Sequence, residues 1–272
     1  YHKMREVRGM LGEILGDIAG SRFEFSKPQK FDSKTVRLFE DDCFYTDDTV
    51  MSVATKYAVL QKIPYAKAYL LFGKAYPNAG YGPMFQQWLR GPSHAPYQSF
   101  GNGAAMRVGF IGEYFQTLEK VKEEAGKSAM CTHDHPDGVA GAQAAASCIF
   151  LARQGCSKKE IRNRIEKDYS YNLQRSLRMR RPFAKYDITC AGSVPLAIRC
   201  FLESDCWESC IRNVMSITCD TDTVGCIAGG IAHAYYRETG FREMELLKKY
   251  LIKPSAGRKT DSFLFDWAVA EG

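Results

Sequence analysis

Two four-residue stretches, far apart in the chain, carry the same chemistry: Thr46-Asp47-Asp48-Thr49 and Asp220-Thr221-Asp222-Thr223. Each opens an apolar, helix-like segment, Val50 to Leu60 and Val224 to Tyr236. A single Asp or Thr at a helix start is ordinary capping chemistry, because its oxygen accepts from free backbone N–H groups. Capping does not explain neighbouring acids at both starts. Carboxylates crowded in this way repel one another unless a cation lies between them. Carboxylate and hydroxyl oxygens are hard donors that suit Mg²⁺, with Mn²⁺ as its substitute. The expectation is a fold that brings both stretches to one shared metal site.

The rest of the chain reads as helical. Val7, Leu11, Ile14, Leu15 and Ile18 recur at helical spacing within Met4 to Ala19. Gly9, Gly12, Gly16 and Gly20 follow the same track, a costly choice inside a helix unless another backbone or a ligand comes close. Asp17 and Glu24 stand on the C-terminal side of that helix, where an acid gains nothing from the helix dipole. Residues 26–45 have no clear period and suit a loop near or over a site. A helix runs from Thr46 to about Ile63 and Pro64 starts the next. Met84 to Leu89 and Gly138 to Arg153 are also predicted helices, with others at 157–168, 189–203, 206–218, 221–237, 241–252 and 261–270. Alternating Val/Ile runs are nearly absent. The chain is therefore predicted all-α, as one compact domain over residues 1–272.

Composition narrows the function classes. At 45% hydrophobic and 25% charged residues the chain has material for a large core and the surface of a soluble protein. The net charge of +6 is spread out. Its densest group, Arg175, Arg178, Arg180 and Arg181, reads as a solvated face, with an anionic-ligand role as the lesser alternative. It lacks the aromatic interleaving of a single-strand platform, so direct nucleic-acid binding is not expected. The ten cysteines form no C-x-x-C pair, and Cys148, Cys190, Cys200 and Cys226 read as small core residues. Cys131, His133 and His135 alternate, but three ligands in five residues without a fourth make a poor zinc site. With no signal-peptide pattern and no apolar run of membrane length, a reduced, cytoplasmic protein without membrane partners is expected.

Several glycine-rich motifs remain. Ser99-Phe100-Gly101-Asn102-Gly103-Ala104-Ala105-Met106-Arg107 joins a turn to a helix, where exposed N–H groups can hold a phosphate. Asn-Gly is also an everyday turn. Together with Gly12-x-x-x-Gly16-Asp17-x-x-Gly20 and Glu24, the two acid stretches, and Thr132-His133-x-His135-Pro136, these motifs stand in an order that resembles the ADP-ribosylglycohydrolases, the group typified by the dinitrogenase reductase-activating glycohydrolase. The resemblance runs over roughly residues 8–240.

That resemblance implies a compact orthogonal all-α bundle with a cleft for two Mg²⁺ ions (Mn²⁺ possible), held by Thr46, Asp47, Asp48, Asp220, Asp222 and Thr223. It implies a hydrolase that releases ADP-ribose from a modified protein or an ADP-ribose-containing small molecule. Glu24, Asp47 and Asp222 become the candidate catalytic residues, with the general base unassigned among them. Ser99, Phe100, Gly101, Asn102 and Gly103 match a loop that holds the diphosphate and stacks on adenine. Gly80, Tyr81 and Gly82 match a second phosphate-facing loop, and His133 a position lining the distal ribose. Arginine is the expected acceptor, with serine or O-acetyl-ADP-ribose as alternatives, because the motifs are shared among relatives of each kind. His233 departs from the family's small residue there and reads as a packed core histidine or a cleft-lining one. A non-catalytic ADP-ribose binder should have lost acids, and none is missing. A prenyl-diphosphate enzyme would want D-D-x-x-D, but Asp41-Asp42 is followed at the required position by Tyr45.

Overall fold

The glycine track ahead of Asp17 does what its cost implies: it lets two helices meet backbone to backbone. The computed structural model describes residues 10–255 and 257–272, so the predicted first turn, Met4 to Gly9, lies outside the described residues. In chain order the helices are α1 (Leu11–Gly20), α2 (Asp47–Gln61), α3 (Tyr65–Ala75), α4 (Pro83–Arg90), α5 (Gly103–Met106), α6 (Gly109–Tyr114), α7 (Leu118–Met130), α8 (Pro136–Arg153), α9 (Lys158–Tyr169), α10 (Leu177–Arg180), α11 (Cys190–Leu202), α12 (Trp207–Met215), α13 (Thr221–Tyr236), α14 (Glu243–Leu247) and α15 (Phe263–Val269). No strand occurs among the described residues, only a lone antiparallel bridge between Gly101 and Thr189. The protein is all-α, as expected.

Helix α13 is the central rod, packed against α1, α8, α11 and α12. Its contact with α1 is set by small residues on both sides. A Cβ on Gly16 would lie 2.1 Å from the Gly225 carbonyl oxygen, and one on Gly229 would lie 2.5 Å from that of Gly12. The pairing of Gly12 with Gly229 and His233, Gly16 with Gly225, and Gly20 with Thr221 means the helices run antiparallel. The C-terminal end of α1, with Asp17, therefore lies beside the N-terminal end of α13, with Asp220 and Asp222. The other face of α1 buries Ile14, Leu15 and Ile18 completely, each contributing about 1.5–3 kcal/mol relative to exposure.

His233 sits at the far end of this pair, buried against Gly12 with Nε2 3.7 Å from Glu243. Of its two readings the packed one holds. The 26–45 segment has no helix and is fastened from outside: the Arg212 guanidinium donates to the Ser33 and Val36 carbonyls, and the Tyr250 hydroxyl to that of Glu40.

Most predicted helices are present within a few residues of their expected ends. Helix α7 was not foreseen. Its buried face is only Val121, Ala125, Gly126, Ser128 and Ala129, too small and polar to raise a periodic signal against six charged neighbours' worth of Lys and Glu. The Thr117 hydroxyl, which accepts from the Lys120 N–H, was the available clue.

Adding one methyl group at the helix crossing tests this packing. Gly16→Ala should lower stability by about 1–3 kcal/mol through overpacking, seen as a melting temperature several degrees lower. An unchanged melting temperature would mean that the backbones do not touch there.

Candidate functional site

Asp17 joins the first acid stretch to the helix pair. Its carboxylate accepts from the Thr46 N–H (2.9 Å) and hydroxyl (2.6 Å) and from the Thr49 N–H (3.2 Å) and hydroxyl (2.6 Å). It thereby satisfies orphan donors at the start of α2 and ties that start to the end of α1. Thr46 is the N-cap of α2, accepting from the Asp48 N–H at 3.2 Å. Since α1 already lies against α13, the second acid stretch arrives at the same place.

Two overlapping groups of acids result. One oxygen each from Asp17, Asp48 and Asp222 falls within a span of 4.8 Å, as does one each from Glu24, Asp220 and Asp222. Asp222 is common to both. Asp48, Asp220 and Asp222 are almost completely buried, yet Oδ1 of each has no hydrogen-bond partner. Buried polar atoms are normally paired, so orphan oxygens on three acids of two overlapping groups mark a place shaped for cations. Oxygen-only donors fit a hard divalent ion. Thr223 lies beside Asp48 and tempers its proton affinity.

The electrostatics say the same. Burial and then neighbouring acids push Asp47, Asp48 and Asp222 well above the usual carboxylate range. Burial raises Asp17 to about 6, against the pull of its four hydrogen bonds. Glu24, at the end of the 3₁₀ turn Ser21–Phe23, is raised to about 7 by burial and then by Asp220. The Tyr186 hydroxyl donates to Glu24 Oε1 at 3.3 Å. Asp47 lies outside both groups and faces the second glycine loop: its N–H donates to Ala79, and its Oδ1 is 4.0 Å from where a Cβ on Gly80 would sit.

The phosphate-loop candidates are built around this centre. The Asn102 side chain donates to Asp220 Oδ2 (2.8 Å) and Ser193 Oγ (3.0 Å), so it orients an acid. Ser99 Oγ accepts from the Gly101 N–H, and the bridge to Thr189 fixes the loop against the start of α11. The Phe100 ring is half exposed beside His135. Gly80 adopts φ +96°, and a Cβ on Gly82 would meet nothing within 4 Å, so the loop leaves open space at Gly82. Tyr81 is buried with its ring on Phe85.

His133 faces the Gly101–Gly103 loop. The buried Arg107 guanidinium stacks on the Tyr69 ring and donates to Thr132 Oγ1 at 2.8 Å. The Thr132 hydroxyl is in turn hydrogen-bonded to His133 Nδ1, 2.6 Å away. The other ring nitrogen, Nε2, lies against Gly103, 3.1 Å from a Cβ placed there. Burial and then the Arg107 charge keep the ring neutral, well below the usual histidine range. Asp17, Arg107, Ser193 and Tyr186 were not singled out as site residues. For Asp17 the signal was present in its unfavourable place at a helix end, and for Arg107 in the glycine-rich motif it closes; for Ser193 and Tyr186 it lies in tertiary contacts alone.

Comparison with known proteins gives the family and the fold. A model of the ADP-ribosylglycohydrolase family matches residues 2–259. Human ADP-ribosylhydrolase ARH3 is 29% identical, covering 86% of each chain. The mouse protein of the same name is 28% identical over 84% of this chain and 83% of its own. A solved structure titled ADP-ribosylglycohydrolase-related protein complex shares the fold at a TM-score of 0.71, with 19% identity over 97% of this chain and 95% of that one.

A cradle of repelling acids has a signature in stability. These carboxyls bind protons more tightly folded than unfolded, so they favour folding only while protonated. In EDTA, stability should fall as the pH rises from about 4, the unfolded range, through about 7. Mg²⁺ should remove that fall by binding the folded form. Asp222→Asn should melt above the wild type in EDTA at about pH 8 and gain little from Mg²⁺. A wild type indifferent to pH and Mg²⁺ across this window would contradict a cation site.

Proposed function

The chain belongs to the ADP-ribosylglycohydrolase family, and from that premise we propose that it frees protein side chains of ADP-ribose, with arginine as the acceptor. The family and its relatives make it a glycosidic-bond hydrolase of ADP-ribose-containing substrates. What supports the finer reading is the wall beside the acid groups. Tyr186 is 44% exposed and lies against the Glu24 carboxylate and the Phe25 ring. An aromatic face next to a carboxylate suits a planar guanidinium, which stacks and pairs at once. A serine linkage makes no use of that face.

In this reading Asp48, Asp220 and Asp222, with Thr46 and Thr223, would hold two Mg²⁺ ions, and Asp47 would complete the set from the Gly80 side. When bound, Mg²⁺ supplies fixed positive charge for the ribose hydroxyls and a water of lowered pKa. The chain's own groups do the rest. Asn102 fixes Asp220, and the Thr46 and Thr49 bonds fix Asp17, so the acids are preorganised before substrate arrives. His133 Nε2 faces the Gly101–Gly103 loop, in place to hydrogen-bond a ribose hydroxyl. Phe100 offers a half-exposed ring for adenine.

Hydrolysis breaks the bond from ribose C1 to the guanidine nitrogen and forms one from C1 to the water oxygen. One water proton leaves to a base, and one proton reaches the departing nitrogen. Glu24 sits between the acid group and the acceptor wall, in place to hold the transferred proton at Oε1 or Oε2. Asp222 and Asp47 stabilise the positive charge that builds on the sugar.

The test is ADP-ribose release from matched ADP-ribosyl-arginine and ADP-ribosyl-serine peptides, with Mg²⁺ and with EDTA. Release from the arginine peptide, only with Mg²⁺, is expected. Asp222→Ala should fall by about two orders of magnitude or more while folded, and Tyr186→Ala about tenfold on the arginine peptide. Release from the serine peptide alone would move the acceptor to a hydroxyl, and binding without turnover would make the chain a reader of ADP-ribose.

A further inference from the structure

Between α9 and α11 the chain crosses the surface as a strip with five cations in eleven residues, Arg175, Arg178, Arg180, Arg181 and Lys185. Some exposed cations elsewhere pair with acids, as Lys127 does with Glu123, Lys120 with Glu124 and Arg164 with Asp168. Those along 175–185 do not. Arg175 donates to the Met179 carbonyl, Arg180 to the carbonyls of Arg175 and Asn172, and Arg181 to Ser216. Among the described residues none of these three, nor Arg178 or Lys185, has a carboxylate partner. The strip itself holds no acid, and Asp187, just beyond it, accepts from the Thr189 N–H and hydroxyl. Apolar groups stand out between the cations, with Phe183 74% and Met179 58% exposed.

Two connections place this strip on the acceptor side of the cleft. At one end Tyr186 reaches Glu24 and Phe25. At the other, Arg181 donates to the Ser216 carbonyl and hydroxyl, while Lys27 donates to the carbonyls on either side, Met215 at 2.7 Å and Ile217 at 3.0 Å. The strip is thus continuous with the Glu24–Lys27 rim. A protein whose modified side chain reaches the acids through that rim brings its neighbouring residues beside the strip. Un-neutralised cations beside a binding mouth attract and orient acidic partners, and the exposed Phe183 offers an apolar anchor among them.

We infer that residues 175–186 are a docking surface for an acidic segment adjoining the ADP-ribosylated residue of a protein substrate. This rests on the cleft acting on protein-linked ADP-ribose. It makes selectivity among protein targets a property of the strip and leaves the acceptor chemistry to the acid centre.

The experiment uses the full chain with Mg²⁺ and two ADP-ribosyl-arginine peptides that differ only in glutamate or glutamine flanks. At low salt kcat/KM should favour the glutamate peptide about tenfold, and the advantage should collapse near 0.5 M salt, where the Debye length is roughly 4 Å. Arg178→Glu with Lys185→Glu, both exposed, should abolish the preference while the glutamine peptide turns over as before. Equal kcat/KM for the two peptides, or a preference that survives the double variant, overturns the inference. If neither peptide is cleaved, the functional reading fails, and calorimetry with the unmodified glutamate peptide decides the surface separately. Binding that the double variant loses supports docking, and no binding overturns it. An oligonucleotide of equal charge that competes at the same concentration would make the strip a general polyanion site and overturn it too.

Discussion

The backbone-to-backbone contact of α1 and α13 is the constraint on which the site depends. It exists because Gly12 and Gly16 face Gly225 and Gly229, where any side chain would collide with a carbonyl. Its antiparallel sense puts Asp17 next to Asp222. Asp17 then holds the start of α2 through Thr46 and Thr49, and Asp48 follows. Residues from three distant parts of the sequence thus converge through one helix crossing and one capping carboxylate. Asp17 serves the fold and the site together, which is why a fully hydrogen-bonded acid sits where the dipole does not reward it.

The same convergence is costly without a partner. Burial and neighbouring carboxylates raise the proton affinity of Asp47, Asp48 and Asp222, and the folded chain bears that repulsion when no cation is present. Hydrophobic packing elsewhere carries the fold, as in the buried faces of α8 and α13, so the chain can keep a strained centre. Relief on binding is the physical link between stability and activity here. Around this charged centre the contacts are neutral and directional: the Asn102 amide, the Thr132 hydroxyl and the neutral His133 ring.

Much of this was legible in the residues. Chemistry repeated in Thr46–Thr49 and Asp220–Thr223 implied a shared centre, and the glycine spacing implied a close neighbour, because both are local patterns with few structural explanations. What was not legible depends on contacts across the fold. Tyr186 lies in a segment without periodicity, and nothing local marks it as Glu24's partner. Asn102 sits in a motif matched to phosphate, yet its side chain is committed to Asp220 and Ser193. Helix α7 was missed because its buried side is made of Val, Ala, Gly and Ser.

The most direct measurement of the central claim is the number and mutual distance of divalent ions, read by Mn²⁺ binding and electron paramagnetic resonance of the full chain. Two acid groups joined through Asp222 predict two Mn²⁺ per chain with a spin-coupled signal, reduced to an uncoupled one in Asp222→Asn. A single uncoupled ion in the wild type, or no ion retained, would contradict the account.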